Sequence, residues 1–371
     1  IMKEIIFSKP NIKIKNTLQL IKKSLIKNYP NEGSLTNIFE NRVKNILKIK
    51  YAVATTNGTS ALCLALKANN IGHGDEVIIP NITFLATANA VHMTGAKVIL
   101  ADVLKKNLLI DPSSLIKRIS KKTKAIIPVH ISGRGENIRE IVRIANKYKI
   151  KVIEDAAEAF GSKFKNKSLG SFGICGCFSF APNKIITTGQ GGLIVTNDKK
   201  IFMKIKHLKD QGRVKSLKKE NFYNYRGFNF KFTDLQASLG ISQLTDFSKR
   251  KRKLINIYKF YKKKINENDE FKIIGFNIKN GELPLWTDIY CKNSKEFFNF
   301  LKKKKILCRF FWNPINSIPP YKRSFKNLEQ SKKLKNKLLW LPSSLDLSKK
   351  ELNYICLNIN NYLNKKLNLK K

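Results

Sequence analysis

From Tyr51 onward the chain repeats one pattern: a short apolar run, a turn, then a helical stretch. The runs are Tyr51–Thr55, Glu76–Ile79, Lys97–Leu100, Ala125–Val129 and Lys151–Ile153. Between them helices are predicted over Ala61–Lys67, Thr87–Met93, Leu115–Ile119 and Ile138–Tyr148. Strands joined through helices can lie parallel, and a parallel sheet has both faces covered. In the last of these helices Ile138, Ile141, Val142 and Ala145 fall on one face, which is the face expected to meet the sheet. Ala61–Lys67 is apolar on most sides and is expected to be buried. The fold class that follows is α/β around a mostly parallel sheet.

The flanks read differently. An extended start leads into a helix over Asn16–Lys27, a turn at Tyr29–Gly33 and a helix over Leu35–Leu47. After the sheet region come a loop rich in charge and aromatics (Asp210–Tyr225) and a helix over Asp234–Leu244. Further on, a helix is expected around 295–305, a strand over Ile306–Phe311 and a proline-rich loop over Pro314–Pro320. The last helix opens with a capping box, Ser348 and Glu351, and presents Leu352, Ile355, Cys356 and Ile359 on one face. A chain of 371 residues exceeds one small core. The expected division is a large domain, 1–248, and a smaller C-terminal α+β domain, 249–371, with residues 1–30 free to pack on the small one.

Hydrophobic residues make up 42%, enough for a globular core. No apolar run approaches the roughly 18–20 residues that span a bilayer, and charge and proline break up the N-terminus, so neither a membrane span nor a secretory signal is expected. Ile1 precedes Met2, so either Met2 is the start or the chain is cut from a longer frame. Six scattered cysteines read as buried thiols in a reducing cytoplasm, and the four histidines form no metal-binding pattern; no metal site is expected. The net charge of +46 comes from 61 Lys against 11 Arg. Nucleic-acid readers favour Arg for bidentate contacts, and the Lys, Ile and Asn excess looks like A/T-rich coding, so nucleic acid is disfavoured. Two clusters, Lys249–Lys253 and Lys302–Lys305, read first as solvated helix faces and second as a polyanion site.

The chemistry is expected in CFSFAPNKIITTGQGGLIVTND, Cys177 to Asp198. Lys184 stands there among apolar strands, where an amine needs a covalent or ionic partner. A Schiff-base lysine carrying an aldehyde cofactor meets that need. Such a cofactor also needs a counter-charge, a phosphate cradle and a stacking surface. Asp155, at the end of an apolar strand, is either that counter-charge or a helix cap. Asn57-Gly58-Thr59-Ser60 is either a cradle of N–H groups and hydroxyls or a plain N-cap. Ser179 is placed to reach the same phosphate, and Phe84 either stacks on the ring or belongs to the core.

Taken with GTSALCLAL (58–66), VIIPNITFLATANAV (77–91), VIEDAAEAFG (152–161) and RGFNFKFTDLQASLGISQL (226–244), that stretch resembles the DegT/StrS-type nucleotide-sugar aminotransferases. The resemblance runs nearly end to end and implies the aspartate-aminotransferase fold, also called PLP fold type I. It implies pyridoxal 5′-phosphate (PLP) on Lys184, which would also move the proton in catalysis. Asp155 would face the pyridine nitrogen and Glu158 the ring hydroxyl. Gly58, Thr59 and Ser179 would bind the phosphate, with Phe84 against the ring. Asn229 would reach the phosphate of a neighbouring subunit, making the active unit a homodimer with shared sites. The implied reaction passes an amino group from an amino acid, glutamate above all, to a nucleotide-linked keto-sugar. SFxxNKxITTGxGG and Asp210–Arg213 lean toward 4-keto-6-deoxyhexoses, as in perosamine-type synthases for surface polysaccharide. Gln190 and Ala181 depart from the family pattern at positions that bear on substrate fit. Dehydrating members carry His at the lysine position, so Lys184 favours amino transfer over the dehydratase alternative. Sugar-reading residues are expected in Tyr29–Gly33, in Asp210–Arg226 and around Arg309–Trp312.

Overall fold

The computed structural model describes residues 3–26, 30–214, 222–322 and 326–368. Lys27 and Tyr29, and residues 215–221 of the charged loop, lie outside them. Helices α1 (Ile14–Ile26) and α2 (Ser34–Leu47) precede strand β1 (Tyr51–Thr55) and helix α3 (Gly58–Ala68). The alternation continues with β2 (Glu76–Pro80), α4 (Leu85–Met93), β3 (Lys97–Ala101), α5 (Pro112–Ile116), β4 (Thr123–Ile126), α6 (Ile138–Lys147) and β5 (Lys151–Asp155). A two-stranded ribbon, β6 (Lys163–Phe164) and β7 (Lys167–Ser168), leads to β8 (Cys175–Ser179) and β9 (Gly192–Thr196). These strands, the ribbon aside, form one seven-stranded sheet in the order β1-β9-β8-β5-β4-β2-β3. Only β9 runs against its neighbours; the pairs from β8 to β3 are parallel. The expected α/β class with a mostly parallel sheet is what the chain adopts.

Helix α3 shows why. Its residues from Ser60 to Leu66 are all buried, as its all-round apolar sequence requires. Leu62 and Leu64 are almost fully enclosed, and truncating either to Ala would cost about 2–5 kcal/mol.

The chain then runs through α7 (Lys199–Lys209), α8 (Asp234–Leu244) and α9 (Phe247–Lys264) to β10 (Phe271–Ile273), β11 (Thr287–Cys291) and α10 (Ser294–Lys303). It finishes with β12 (Arg309–Phe310), α11 (Glu329–Leu334), β13 (Leu338–Leu341) and α12 (Lys349–Asn368). The second sheet is antiparallel, in the order β10-β11-β13-β12. The capping box at the start of α12 forms, with Glu351 N–H donating to Ser348 Oγ at 3.2 Å and Ser348 N–H to Glu351 Oε2 at 2.7 Å.

Four local expectations change. The fourth strand ends at Ile126 rather than Val129, because Pro128 has no N–H for the ladder, although Val129 still bridges Asp155. The helix expected at 115–119 begins earlier, at Pro112, because Asp111 caps it by accepting the Ser113 N–H at 3.0 Å. The strand expected over Ile306–Phe311 shortens to Arg309–Phe310. Ile306 instead bridges Ile5, and the N–H of Ile5 donates to Lys305 O at 2.8 Å, so the N-terminal segment occupies that edge. Finally, the KRKRK cluster is not wholly solvated. Arg250 is 3% exposed and donates to Asp246 Oδ1, Ile185 O and Asn11 O at 2.9, 3.2 and 2.8 Å.

A buried hub at 130–135 joins the two sheets. The Arg134 guanidinium, wholly enclosed, pairs with Asp288 of β11 and donates to Gly275 O at 2.8 Å and Ile274 O at 3.0 Å. It also lies 3.7 Å from the Phe276 ring centroid. Gly133 sits at φ +101°, and a Cβ there would meet Leu283 O at 2.1 Å, so only glycine lets the two segments approach.

Candidate active site

Side chains alternate along a strand, so the adjacent carboxylates at the end of β5 face opposite ways. Glu154 turns into the protein, accepts the N–H groups of Gly170, Phe172 and Gly173 at 2.8, 2.6 and 2.7 Å, and lies 2.8 Å from His130 Nε2. Asp155 faces a cavity of about 720 Å³ at the carboxyl end of the sheet. It is 5% exposed, accepts from Thr87 Oγ1 at 2.8 Å and from the Ala157 N–H at 3.2 Å, and has no helix to cap. Among the described residues no cationic nitrogen comes within 4.0 Å of it. Burial holds its carboxyl above the ordinary aspartate range, against the pull of Thr87, Ala157, Lys184 and His130.

Lys184 lies in the turn after β8, and its Nζ donates to Glu158 Oε1 at 3.3 Å and sits 5.0 Å from the Trp286 ring centroid. The other oxygen of Glu158 accepts the Ser132 N–H at 2.8 Å, and Ser132 Oγ donates to Asp288 Oδ1 at 2.9 Å. Burial raises the Glu158 carboxyl as well; Lys184 and Ser132 oppose that, while Asp288 and Asp155 add to it. The carboxylate beside the lysine is therefore fixed from behind by the hub.

At the start of α3 the N-cap reading of Asn57–Ser60 holds, and the helix start also faces the cavity. Asn57 caps the helix, accepting the Ser60 N–H at 2.9 Å and donating its own N–H to Ser60 Oγ at 3.2 Å. Gly58 and Thr59 keep first-turn N–H groups without intrahelical acceptors, and they line the cavity beside Ser179. A Cβ on Gly58 would come within 3.1 Å of Ser179 Cβ, so glycine permits the close approach.

Phe84 is 54% exposed at the cavity, which removes the core reading, and its ring lies 5.7 Å from Trp312. Trp286, Trp340, Trp312 and Arg309, from the second sheet and the segments flanking it, complete that side. Ala181 and Gln190 also line the cavity. The structure thus brings together seven of the eight expected site residues: Gly58, Thr59, Phe84, Asp155, Glu158, Ser179 and Lys184. The eighth, Asn229, is exposed, pairs in a bridge with Asp210 and is not part of the lining.

An amine, a buried carboxylate with hydrogen-bond donors but no ion-pair partner among the described residues, a helix start with first-turn N–H groups beside a hydroxyl, and an exposed ring fit pyridoxal phosphate. Sequence reasoning missed Thr87, Glu154 and the Arg134–Asp288 pair, which carry no local pattern. It also missed Trp286 and Trp340, although a signal existed: the chain has three tryptophans and all three line this cavity.

Residues 11–360 match the profile of the DegT/DnrJ/EryC1/StrS aminotransferase family. GDP-perosamine synthase of Escherichia coli O157:H7 is 36% identical over 342 residues, spanning 90% of this chain and 92% of that one. EpsN of Bacillus subtilis (strain 168), a putative pyridoxal phosphate-dependent aminotransferase, is 31% identical over 296 residues, 77% of this chain and 76% of that one. Among solved structures, Helicobacter pylori PseC, an aminotransferase involved in the biosynthesis of pseudoaminic acid, superposes with a TM-score of 0.90 at 26% identity, covering 97% of this chain and 99% of its own.

Proposed function

The chain belongs to the DegT/DnrJ/EryC1/StrS aminotransferase family and is a PLP-dependent sugar aminotransferase; from that premise we propose that it moves an amino group from glutamate to a nucleotide-linked 4-keto-6-deoxyhexose. The observation that carries the site assignment is the buried Asp155 carboxylate, without an ion-pair partner within 4.0 Å among the described residues, in the same cavity as the Lys184 amine.

When bound, the cofactor supplies an aldehyde that captures amines and a cationic ring that draws electrons from the carbon beside the captured nitrogen. Asp155 holds the proton on the ring nitrogen, a role its desolvated charge favours because a cation there relieves the cost of burial. Gly58 and Thr59 N–H groups and the Ser179 hydroxyl hold the phosphate. Phe84 covers a ring face. Lys184 Nζ removes and returns the proton at the substrate carbon, and Glu158, pinned by Ser132, keeps that amine in place. Arg309 offers its exposed guanidinium, 5.9 Å from the Trp340 ring, to the anionic group of a substrate.

Asn229, exposed on the segment after the charged loop, suits a residue lent to a second copy, and a homodimer with shared sites is part of this proposal. The division at residue 248 is likewise a proposal, supported by the seven-stranded sheet lying wholly before it and the four-stranded sheet wholly after. No helix among the described residues is long and apolar enough to cross a membrane; a cytoplasmic site of action is inferred from the reducing setting that six free cysteines suit. The test is incubation with glutamate and UDP-, GDP- or dTDP-linked keto-sugars. Release of 2-oxoglutarate with a 4-keto-6-deoxy sugar supports the proposal, and release with none of them refutes it.

A further inference from the structure

A buried polar contact ties the segment after β2 to the loop after β12, between residues that carry no assigned role in holding the cofactor. Asn81 directly follows β2 and is fully buried. Its N–H donates to Ala101 O at 2.8 Å, which fixes it to the edge strand β3. Its carbonyl accepts the Ile315 N–H at 2.8 Å and its Oδ1 accepts the Asn316 N–H at 3.1 Å. Its Nδ2 in turn donates to Asn316 Oδ1 at 3.0 Å. Holding one residue through both a backbone donor and a side-chain acceptor needs a group that is itself donor and acceptor, which is what a carboxamide offers and a carboxylate does not.

Each partner lies close in sequence to a cavity residue. Three positions after Asn81 comes Phe84, and three before Ile315 comes Trp312; these two rings meet at 5.7 Å. Trp312 also packs on Trp340 at 4.9 Å, and Arg309 lies 5.9 Å from the same Trp340 ring. On the other side, Thr83 and Thr87 hydroxyls lie 2.8 Å apart, and Thr87 donates to Asp155. Segment 81–87 is therefore tethered to the second sheet's loop at one end and to the Asp155 carboxylate at the other, with Phe84 between. We propose that Asn81 and Asn316 are positioning residues: their reciprocal amide pair seats segment 309–316, with Arg309 and Trp312, against Phe84 and so sets the fit of the sugar substrate.

The proposal rests on the cavity being a sugar-aminotransferase site, and its test keeps the two apart. The holoenzymes of Asn316→Ala, which loses a single side-chain hydrogen bond at a half-buried position, Asn81→Ala, and the double variant are compared with wild type. Each is assayed for KM and kcat with keto-sugar, for the single-turnover rate with glutamate, and for amide hydrogen exchange. A keto-sugar KM raised about tenfold is expected, the scale of leaving one buried amide unpaired. The cofactor absorbance stays as in wild type, the glutamate half-reaction loses less than the keto-sugar reaction, and exchange quickens in 311–318 but not in β5 or α3. The double variant is no worse than Asn81→Ala, since that change already removes the whole side-chain pair. An unchanged keto-sugar KM, or equal loss in both half-reactions, overturns the proposal. If the wild type releases no 2-oxoglutarate with any keto-sugar, the functional reading falls; exchange at 311–318 that stays slow in Asn81→Ala overturns the clamp by itself.

Discussion

Replacing Thr87 by Val tests how the protein keeps Asp155 charged. The side chain is fully buried, and Val nearly matches its volume, so packing changes little. What disappears is the O–H donated to Asp155 Oδ2 at 2.8 Å, together with the contact that the buried Thr83 hydroxyl makes to Thr87 Oγ1 at 2.8 Å. A hydrogen bond to a charged group contributes about 1.5–3 kcal/mol. Its loss lets the Asp155 carboxyl rise further above the ordinary aspartate range, where burial already holds it. The sign follows from linkage. A cation at the ring nitrogen favours ionised Asp155, so the bound state has the lower pKa and the free protein the higher one. Between the two, binding expels a proton, and affinity for the cofactor rises with pH; above both it is flat. Removing the donor lifts the upper edge of that window. Apoenzyme titrated with pyridoxal phosphate across pH, followed by absorbance, should show affinity falling about 10- to 100-fold in the variant within the window. Dissociation constants within twofold of wild type at every pH would refute the role given to Asp155 and its donor.

Further outcomes follow from the same geometry. Asp288→Ala strands Arg134 as an unpaired buried charge, and urea unfolding should show a loss of about 3–5 kcal/mol; a loss below about 1 kcal/mol would mean that the pair does not lock the sheets. Arg309→Gln should raise the KM of an anionic substrate about 10- to 100-fold with kcat little changed, seen in steady-state kinetics, and an unchanged KM for both substrates would remove Arg309 from recognition. Lys184→Ala should fold with an unchanged circular dichroism spectrum and lose at least about 100-fold in 2-oxoglutarate release.

The sheet was legible because its strands are short, apolar and separated by helices, a pattern that leaves few other ways to bury them. Boundaries failed where a single residue overrode the pattern: Pro128 ended a ladder, and Asp111 with Pro112 started a helix early. The stretch at 306–311 is divided between two partners that no local window contains: Ile306 bridges the distant Ile5, and Arg309–Phe310 pair with β13. Seven of the cavity-lining residues were legible because they sit near strand ends and at a helix start, in stretches whose combination is distinctive. The residues behind them were not. Thr87, Ser132 and Asp288 act through partners 68, 26 and 156 positions away, and their chemistry appears only once the fold brings those partners close.

The central claim is that one lysine among 61 carries the cofactor. Borohydride reduction of the enzyme loaded with pyridoxal phosphate, followed by peptide mass spectrometry, tests it directly. The expected result is a single stable phosphopyridoxyl adduct on the peptide containing Lys184, with loss of the visible absorption band. An adduct on another lysine with Lys184 unmodified, or no stable adduct at all, would contradict it.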